Sequence, residues 1–251
     1  MTLEEFFEEH PKLALAFSGG VDSSYLLYAA SCCGADVAAY YVKSQFQPEF
    51  ELRDAIELAH RLGVRMRLIE QDIVSCTEVT ANPPDRCYYC KKHIMGAIRE
   101  RSRADGYALI IDGTNASDDI SDRPGYKALG EEGILSPLRL CGLTKAEIRR
   151  LSYEAGLPTW DKPAYACLAT RIASGEEITA EKLNAVEQSE DYLFSLGFTD
   201  FRVRVRGTGA LLQFTAEQTA RAHECFEEIE KKLAEYFDSV TIDPKVREKS
   251  L

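Results

Sequence analysis

The first two-thirds of the chain alternate short apolar runs with stretches of helical periodicity. The apolar runs predict four strands: KLALAF from Lys12, DVAAYYV from Asp36, RMRLIEQD from Arg65 and YALIIDGT from Tyr107. Helices are predicted between the first strands, at VDSSYLLYAASCC and at residues 49–61. Strands that alternate with helices indicate parallel pairing through right-handed crossovers. We therefore expect an α/β fold with a doubly wound, mostly parallel sheet.

Each predicted strand is followed by a polar segment. In chain order these segments are SGGVDSS, VKS, EQD and DGTNASDD. Ligands of doubly wound sheets bind beyond the carboxyl ends of the strands, so we expect the four segments to form one polar rim. Further along the chain, Thr144 and Glu147 form a capping box that starts another helix, which Gly156 ends.

The pattern changes after this helix. Residues 157–175 have no clear period and predict a long loop, and long loops in compact domains are usually functional. A helix at residues 179–196, strands FRVRVR and ALLQF, a helix at residues 216–237 and a strand SVTI then follow. This order is typical of a small α+β domain. We predict two domains, at residues 1–177 and 178–251.

Composition and charge narrow the class of protein. The 251 residues are 45% hydrophobic and 28% charged, which excludes a disordered or fibrous chain. The net charge of −11 argues against a bulk electrostatic grip on nucleic acid or on an anionic membrane. No apolar run approaches the roughly 18 residues of a membrane helix. The acidic start MTLEEFFEEHPK lacks the layout of a secretory signal, so the expected location is the cytoplasm.

The segment SGGVDSS carries the first candidate chemistry. Gly19 and Gly20 have no side chains, so their backbone N–H groups and that of Val21 can approach a polyanion at the start of a helix. Hydroxyl donors come from Ser18, Ser23 and Ser24. Asp22 fits beside an anion if Mg²⁺ bridges carboxylate and phosphate. The alternative is an ordinary glycine turn capped by serines. Further candidates for nucleotide contact on the rim are Lys43, Gly113 and Thr114.

Three of the eight cysteines lie in polar segments. Cys87 and Cys90 form a C-x-x-C pair at a predicted helix start, and Cys167 lies in the long loop, four residues before Arg171. A helix start or a basic neighbour favours the thiolate form. Four interpretations are open: a structural zinc site completed by His93, an iron–sulfur cluster with one iron that lacks a protein ligand, Cys167 acting alone with the pair merely structural, or no chemical role.

The glycine–serine string resembles the PP-loop of the ATP pyrophosphatases, which implies that ATP is cleaved to AMP and pyrophosphate. Further strings then resemble one family, the ATP-dependent sulfur transferases of the LarE type. These strings are AFSGGVDSS, NPPDRCYYCKK, DGTNASDD, DRPGYKAL, GILSPLRLCGLTKAEIR, AGLPTWDKPAYACLATRI and FRVRVRG. They cover residues 15 to about 207 in the family's order. The resemblance implies conversion of carboxylates of pyridinium-3,5-biscarboxylic acid mononucleotide to thiocarboxylates for the nickel-pincer nucleotide cofactor.

The resemblance also implies roles for the cysteines. Some members of the family sacrifice the sulfur of one cysteine, at the position of Cys167. Others carry the C-x-x-C pair as well and bind a [4Fe–4S] cluster through three cysteines, here Cys87, Cys90 and Cys167, with sulfide on the open iron. The pair places this chain in the second group, with ATP, Mg²⁺ and the cluster as cofactors. A homo-oligomer and a system that supplies sulfide are implied as partners.

A substrate with a phosphate and carboxylates needs a local cationic site. Arg202, Arg204 and Arg206 alternate along a predicted strand and therefore share one face, and the first two match the family's substrate-phosphate position. The alternative is a solvated sheet face. Further basic residues in the matched strings that are candidates for phosphate contact are Arg123, Arg139, Lys145, Lys162 and Arg171. The chain departs from the family at GALLQF, where members tend to carry ARIEV.

Other functions remain open at the level of sequence. A tRNA-thiolating enzyme would combine a PP-loop, a C-x-x-C pair and a cluster, but the net charge and the lack of an aromatic-basic stretch argue against nucleic acid. An amidating PP-loop synthetase would have no use for three cysteines. A zinc-stabilised nucleotide sensor without catalysis is the alternative from another class of protein.

Overall fold

A computed structural model describes residues 1–119 and 124–248. The strands are β1 (Lys12–Ala16), β2 (Asp36–Lys43), β3 (Arg65–Glu70), β4 (Ile110–Ile111), β5 (Arg202–Arg206), β6 (Gly209–Gln213) and β7 (Ser239–Ile242). The helices are α1 (Leu3–Glu9), α2 (Val21–Cys32), α3 (Glu49–Arg61), α4 (Thr77–Thr80), α5 (Arg86–Ala104), α6 (Pro124–Glu131), α7 (Pro137–Leu140), α8 (Lys145–Glu154), α9 (Ala180–Ser195), α10 (Ala216–Glu224) and α11 (Phe226–Leu233). Short 3-10 turns lie at Ile73–Ser75 and Leu168–Arg171.

The chain divides into two compact units. The first contains Met1–Ile73 and Asp85–Lys162, and the second contains Val74–Pro84 and the chain from Pro163 onward. The second unit therefore includes an eleven-residue segment, Val74–Pro84, from the first half of the sequence. None of the described helices is both long enough and apolar enough to cross a membrane.

The first unit contains a parallel sheet in the order β3-β2-β1-β4. Successive residues of β1 face opposite cores, because strand side chains alternate between the two faces. Leu13 and Leu15 pack with α2, α3 and α8, whereas Ala14 packs with Met95 and Ile98 of α5. Helices thus cover both faces, which confirms the doubly wound α/β sheet. The strands β2 and β3 lie on one side of β1 and β4 lies on the other, so the strand order reverses between β1 and β4. Ligands of such folds bind at this switch point.

The predicted elements of this unit form with small differences at their ends. The helix predicted at residues 49–61 has those bounds, and the capping box of Thr144 and Glu147 starts α8. The fourth strand is shorter than its apolar run, because only Ile110 and Ile111 pair with β1.

The second unit contains a small mixed sheet in the order β5-β6-β7, with β5 and β6 antiparallel and β6 and β7 parallel. The helix α9 packs against β5, and α11 packs against β7. Val203, Leu212 and Val240 are buried on the covered face. The helix predicted at residues 216–237 is broken at Cys225, which ends α10 and begins α11, and its last turn stops at Leu233.

Asn82 joins the segment Val74–Pro84 to the rest of the second unit. Its side-chain amide donates to the carbonyls of Ala173 at 2.7 Å and Glu176 at 3.0 Å. Its own carbonyl accepts from the backbone N–H of Gly175 at 2.8 Å. Asn82 has φ +54°, in the left-handed region that asparagine tolerates better than most residues. A single buried residue therefore joins segments that lie about ninety positions apart.

Candidate functional site

The loop between β1 and α2 has the compact geometry of an anion-binding turn. Gly19 has φ +72°, and a Cβ there would lie 3.0 Å from the Cβ of Ala55. The Oγ of Ser23 lies 3.1 Å from the Oγ of Ser18 and 3.2 Å from the carbonyl of Gly20, to which it donates. Glycine is therefore required at position 19 for both its backbone angle and its contact with α3.

The loop after β4 closes on the first turn of α2. A Cβ on Gly113 would lie 2.9 Å from the backbone nitrogen of Ser23, so no side chain fits between them. This contact brings the segments SGGVDSS and DGTNASDD together at the switch point, where the strand order reverses. The Oγ of Ser24 is fully buried and has no hydrogen-bond partner among the described residues.

Asp22 lies in the first turn of α2 and forms an ion pair with Lys145 of α8. The Oδ2 atom lies 2.6 Å from the lysine Nζ. Burial raises the pKa of Asp22, the lysine opposes that rise, and the charge of Asp118 adds to it. The Oδ1 atom is buried and has no hydrogen-bond partner among the described residues. A buried carboxylate oxygen without a donor fits Mg²⁺, which binds through one or two carboxylates and phosphates.

The rest of the loop after β4 is held by a buried aspartate. Asp112 accepts from the hydroxyls of Thr114 and Ser136, both at 2.6 Å. Asn115, also buried, is held by its neighbours in the loop, and its carbonyl accepts from Arg139 at 3.2 Å. The hydroxyl and the backbone N–H of Thr114 both donate to Asp112, the latter at 3.3 Å, so Thr114 is fixed by the loop.

Two further rim segments lie at the ends of β2 and β3. The Nζ of Lys43 lies 2.8 Å from Glu49, and the lysine also donates to the carbonyl of Gln47. The backbone N–H of Gln71 donates to the carbonyl of Lys43 at 2.9 Å. The rim predicted from the sequence is therefore contiguous at β2 and β3.

The basic residues of the matched strings have mostly intramolecular partners. Lys162 lies 3.1 Å from Glu51 and 2.7 Å from Asp54 of α3. Arg139 donates to the carbonyl of Asp118 at 2.9 Å. Arg123 lies outside the described residues.

The C-x-x-C pair lies in the first unit, on the first two turns of α5. Cys87 is exposed and Cys90 is half-buried, and a spacing of three places both on one side of the helix. Gly125, in the first turn of α6, lies against Cys87, since a Cβ there would be 3.8 Å from the Cβ of Cys87. Two thiols one turn apart can chelate a single metal ion or cluster.

Cys167 lies in the second unit and is half-buried immediately before the 3-10 turn. Its carbonyl accepts from the N–H of Thr170 at 3.0 Å and from the hydroxyl of the same residue at 2.8 Å. Arg171 donates to the carbonyls of Ala166 at 2.7 Å and Cys167 at 3.4 Å. The backbone that carries this thiol is therefore held on both sides of the sulfur-bearing residue.

Arg171 itself is fully buried and pairs with Glu190 of α9. Tyr165 also donates to Glu190, and its ring lies 4.5 Å from the guanidinium of Arg171. Burial, followed by the charge of Glu190, raises the pKa of Tyr165 well above its usual value. The guanidinium nitrogens of Arg171 all donate to groups of the protein. The substrate contact predicted for Arg171 remains a prediction.

The sequence analysis missed Glu190 and Tyr165. A signal for Glu190 was available, because a carboxylate interrupts the apolar spacing of Leu183, Val186 and Leu193 along one face of α9. A charge at a core position of a helix indicates a buried partner.

The three arginines of β5 differ in exposure along the strand. Arg202 is buried, donates to the carbonyl of Ala164 at 2.8 Å, and has its pKa lowered to about 10 by burial and by Arg171. Arg204 is half-buried and donates to Gln213 at 2.9 Å and to the carbonyl of Thr170. Arg206 is exposed. The accessible positive charge therefore lies at the Arg204 and Arg206 end of the strand.

The cysteine, histidine and carboxylate side chains bear on the predicted zinc and iron–sulfur sites. All eight cysteines lie in the described ranges and none forms a disulfide. Within residues 1–119 and 124–248, no group of three or more His, Cys, Asp and Glu side chains is arranged to hold a metal ion. The pair on α5 supplies two thiols, which is fewer than such a group requires.

Known proteins resemble this chain over most of its length, although no protein-family model matches it. The uncharacterized protein slr1717 of Synechocystis sp. is 39% identical over 218 residues, which are 86% of this chain and 81% of the relative. A pyridinium-3,5-bisthiocarboxylic acid mononucleotide synthase of Lactiplantibacillus plantarum is 33% identical over 205 residues, 81% of this chain and 74% of the relative. An NH(3)-dependent NAD(+) synthetase of Hyperthermus butylicus is 27% identical over 213 residues, with shares of 78% and 74%.

These similarities agree with the geometry at the switch point of the sheet. The glycine–serine loop, Asp22 and the close contact of Gly113 lie together at that point. The chain is therefore an ATP-dependent enzyme of the PP-loop class, and it belongs to the LarE family of sulfur transferases.

Proposed function

We propose that this enzyme adenylates a carboxylate of pyridinium-3,5-biscarboxylic acid mononucleotide and converts it to a thiocarboxylate, a step toward the nickel-pincer nucleotide. The observation that carries the proposal is Asp22, a half-buried carboxylate whose buried Oδ1 has no hydrogen-bond partner among the described residues, in the first turn of the helix that follows the glycine–serine loop. It lies in a chain that is similar over most of its length to the synthase of Lactiplantibacillus plantarum.

The loop after β1 binds the β and γ phosphates of ATP. Backbone N–H groups of Gly19, Gly20 and Val21 would donate to the phosphates, and the hydroxyls of Ser18, Ser23 and Ser24 would be the side-chain donors of the same site. Lys43, Gly113 and Thr114 contact the rest of the nucleotide. Mg²⁺ held at Asp22 neutralises phosphate charge when it is bound, and Lys145 supplies a second cation beside that carboxylate.

ATP is consumed because a carboxylate oxygen is a poor leaving group. A carboxylate oxygen of the substrate attacks the α phosphorus, a P–O bond breaks, and pyrophosphate leaves. The resulting acyl adenylate then loses AMP, a good leaving group, when a sulfur nucleophile attacks the acyl carbon. Arg204 and Arg206 bind the phosphate of the substrate, and Arg171 and Arg202 complete the arginine cluster that was predicted for this role.

For the sulfur we infer a cluster whose ligands would be Cys87, Cys90 and Cys167. A [4Fe–4S] cluster held by these three thiolates would supply sulfide on an iron that has no protein ligand. The i, i+3 thiols on α5 supply two of the ligands, and their chemistry suits such a cluster. Arg171 and Thr170 hold the backbone that presents the third thiol.

The hydrogen bonds that hold the backbone at Cys167 also suit a second source of sulfur, the thiol of Cys167 itself. Cys167 would attack the acyl adenylate itself, forming a thioester and releasing AMP. Removal of the Cα proton and breakage of the Cβ–S bond would then give the thiocarboxylate and leave dehydroalanine at position 167. This route uses each enzyme molecule once, and it leaves the pair on α5 without a role in catalysis.

The first experiment tests adenylation. Protein purified without oxygen is incubated with ATP, Mg²⁺ and the mononucleotide, and the release of pyrophosphate is measured. Asp22→Asn should abolish the release, whereas Asp36→Asn, at the amino end of β2 and far from the rim, should retain it. Pyrophosphate release that persists in Asp22→Asn, or that bulk tRNA stimulates in place of the mononucleotide, would contradict the proposal.

The second experiment distinguishes the sulfur sources. About four irons and four acid-labile sulfides per chain, lost in Cys87→Ser and Cys90→Ser but kept in Cys225→Ser, would support the cluster. Zinc without iron, together with a mass loss at Cys167 equal to one hydrogen sulfide after turnover, would contradict the cluster and support sacrifice.

A further inference from the structure

The open face of the small sheet carries an amide that connects an arginine to a carboxylate. Gln213, the last residue of β6, accepts from the Nε of Arg204 at 2.9 Å through its Oε1. Its Nε2 donates to the Oδ2 of Asp243 at 2.7 Å. Arginine can only donate and an ionised aspartate can only accept, so the orientation of the amide is fixed by its two partners.

The arginine is surrounded by like charges. Burial lowers the pKa of Arg204, and the charges of Arg171, Arg206 and Arg247 lower it further. Arg247 pairs with Asp200 at 3.2 Å, and Arg171 is neutralised by Glu190. The group that holds Arg204 within the sheet is neutral, so its own charge is not cancelled by the residue that positions it.

The carboxylate of Asp243, at the other end of the amide, has partners that favour its ionised form. The hydrogen bond from Gln213 and the backbone N–H of Lys245 lower the pKa of Asp243, and Lys245 and Arg206 add favourable charge. Asp243 is therefore ionised and holds the amide, but Gln213 stands between it and Arg204. A carboxylate at position 213 would instead contact the guanidinium directly.

We propose that Gln213 is a specificity-determining residue of this face: its neutral amide positions Arg204 without neutralising it, and so preserves the charge with which Arg204 and Arg206 bind a phosphate monoester. The inference rests on the proposed function, in which the substrate carries such a phosphate. The face is accessible, because Arg204 and Gln213 are half-buried and Arg206 is exposed.

Isosteric substitutions separate charge from position. Gln213→Glu keeps the size of the side chain and adds a negative charge beside Arg204. Gln213→Met keeps the size and the neutrality but removes both hydrogen bonds. Because Gln213→Glu also faces Asp243, the double variant Gln213→Glu with Asp243→Asn removes that repulsion and keeps the new carboxylate on Arg204.

The probe is nicotinic acid mononucleotide, compared with its dephosphorylated riboside by calorimetric titration at fixed ionic strength. The wild type should prefer the phosphorylated form, and Gln213→Glu and the double variant should lower that preference roughly tenfold, as expected when a charge-assisted contact is lost. Gln213→Met, which removes both hydrogen bonds but adds no charge beside Arg204, should lower it by about threefold at most. ATP affinity, measured in parallel, should be unchanged in all three variants.

The outcomes distinguish this inference from the proposed function. A wild type that prefers the phosphorylated probe, together with an undiminished preference in Gln213→Glu and in the double variant, overturns the role of Gln213 and leaves the proposed substrate class intact. A wild type without any preference for the phosphorylated probe overturns both, even if ATP still binds.

Discussion

Arg171 and Glu190 form a two-point ion pair inside the second unit. The Nε atom lies 2.9 Å from Oε1 and the Nη2 atom lies 3.0 Å from Oε2, and the two side chains are 0% and 2% exposed. Glu190 also accepts from the backbone N–H of Val203 at 3.0 Å and from the hydroxyl of Tyr165. One carboxylate thus joins α9, β5 and the turn that follows Cys167.

Removal of this carboxylate should destabilise the second unit. In Glu190→Ala, a buried guanidinium loses its counter-ion, a change that costs about 3–5 kcal/mol in other proteins. Unfolding in urea, followed by far-ultraviolet circular dichroism, should show the loss. Glu154→Gln is the matched control, because Glu154 pairs with Arg150 on an exposed helix face, where such pairs contribute about 0.5 kcal/mol or less. Equal effects of the two substitutions would contradict the structural role of Glu190.

Gly113 should tolerate no side chain. In Gly113→Ala, the new Cβ would lie 2.9 Å from the backbone nitrogen of Ser23, so the first turn of α2 must move. We expect the affinity for ATP to fall at least about tenfold, with a loss of stability of about 1–3 kcal/mol from overpacking. Calorimetric titration with ATP and urea unfolding measure the two effects.

The control for Gly113 lies in the interior of α5. A Cβ on Gly96 would meet nothing within 4 Å. Gly96→Ala should therefore raise stability by about 0.5–1 kcal/mol through helix propensity and leave the affinity for ATP unchanged. Weakened ATP binding in both variants would show that the contact with Ser23 is not the cause.

Much of the fold and part of the site follow from local patterns in the sequence. The runs before Ser18 and after Gly34 are apolar enough to predict buried parallel strands, and the glycine–serine loop is recognisable from its letters alone. The contact between Gly113 and Ser23 was not predictable, because it depends on how two loops about ninety residues apart pack. The contribution of residues 74–84 to the second unit was missed for the same reason. Long-range packing leaves no periodic trace in the sequence.

The asparagine that joins those distant segments should be sensitive to two separate changes. Asn82→Gly keeps the left-handed backbone angle but loses the hydrogen bonds to Ala173 and Glu176. Asn82→Ala loses the hydrogen bonds and adds backbone strain of about 1 kcal/mol. Each lost hydrogen bond costs about 0.5–1.5 kcal/mol, so both variants should be less stable than the wild type, and Asn82→Ala more so.

Hydrogen–deuterium exchange locates the effect of Asn82. Peptides that cover residues 173–178 should exchange faster in both variants, whereas peptides from β1 and β2 should be unchanged. Faster exchange throughout the first unit would contradict the assignment of residues 74–84 to the second unit.

The ion pair between Asp22 and Lys145 should set the acid limit of pyrophosphate release. Burial raises the pKa of Asp22, and Lys145 opposes that rise by favouring the ionised form. In Lys145→Met the opposing charge is gone, so the pKa rises further and the carboxylate is protonated at a higher pH. Mg²⁺ binds the ionised form, so the pH at which activity is half-maximal on the acid side should move upward.

Pyrophosphate release measured between about pH 5 and pH 9, with each variant scaled to its own maximum, tests this shift. Scaling separates the position of the acid limb from any loss of phosphate contact, which would lower the rate at every pH. Arg150→Gln is the matched control, because Arg150 lies on the same helix but pairs with Glu154 at the surface. Its acid limb should coincide with that of the wild type. A limb that stays in place in Lys145→Met would mean that Asp22 does not control the reaction through its charge.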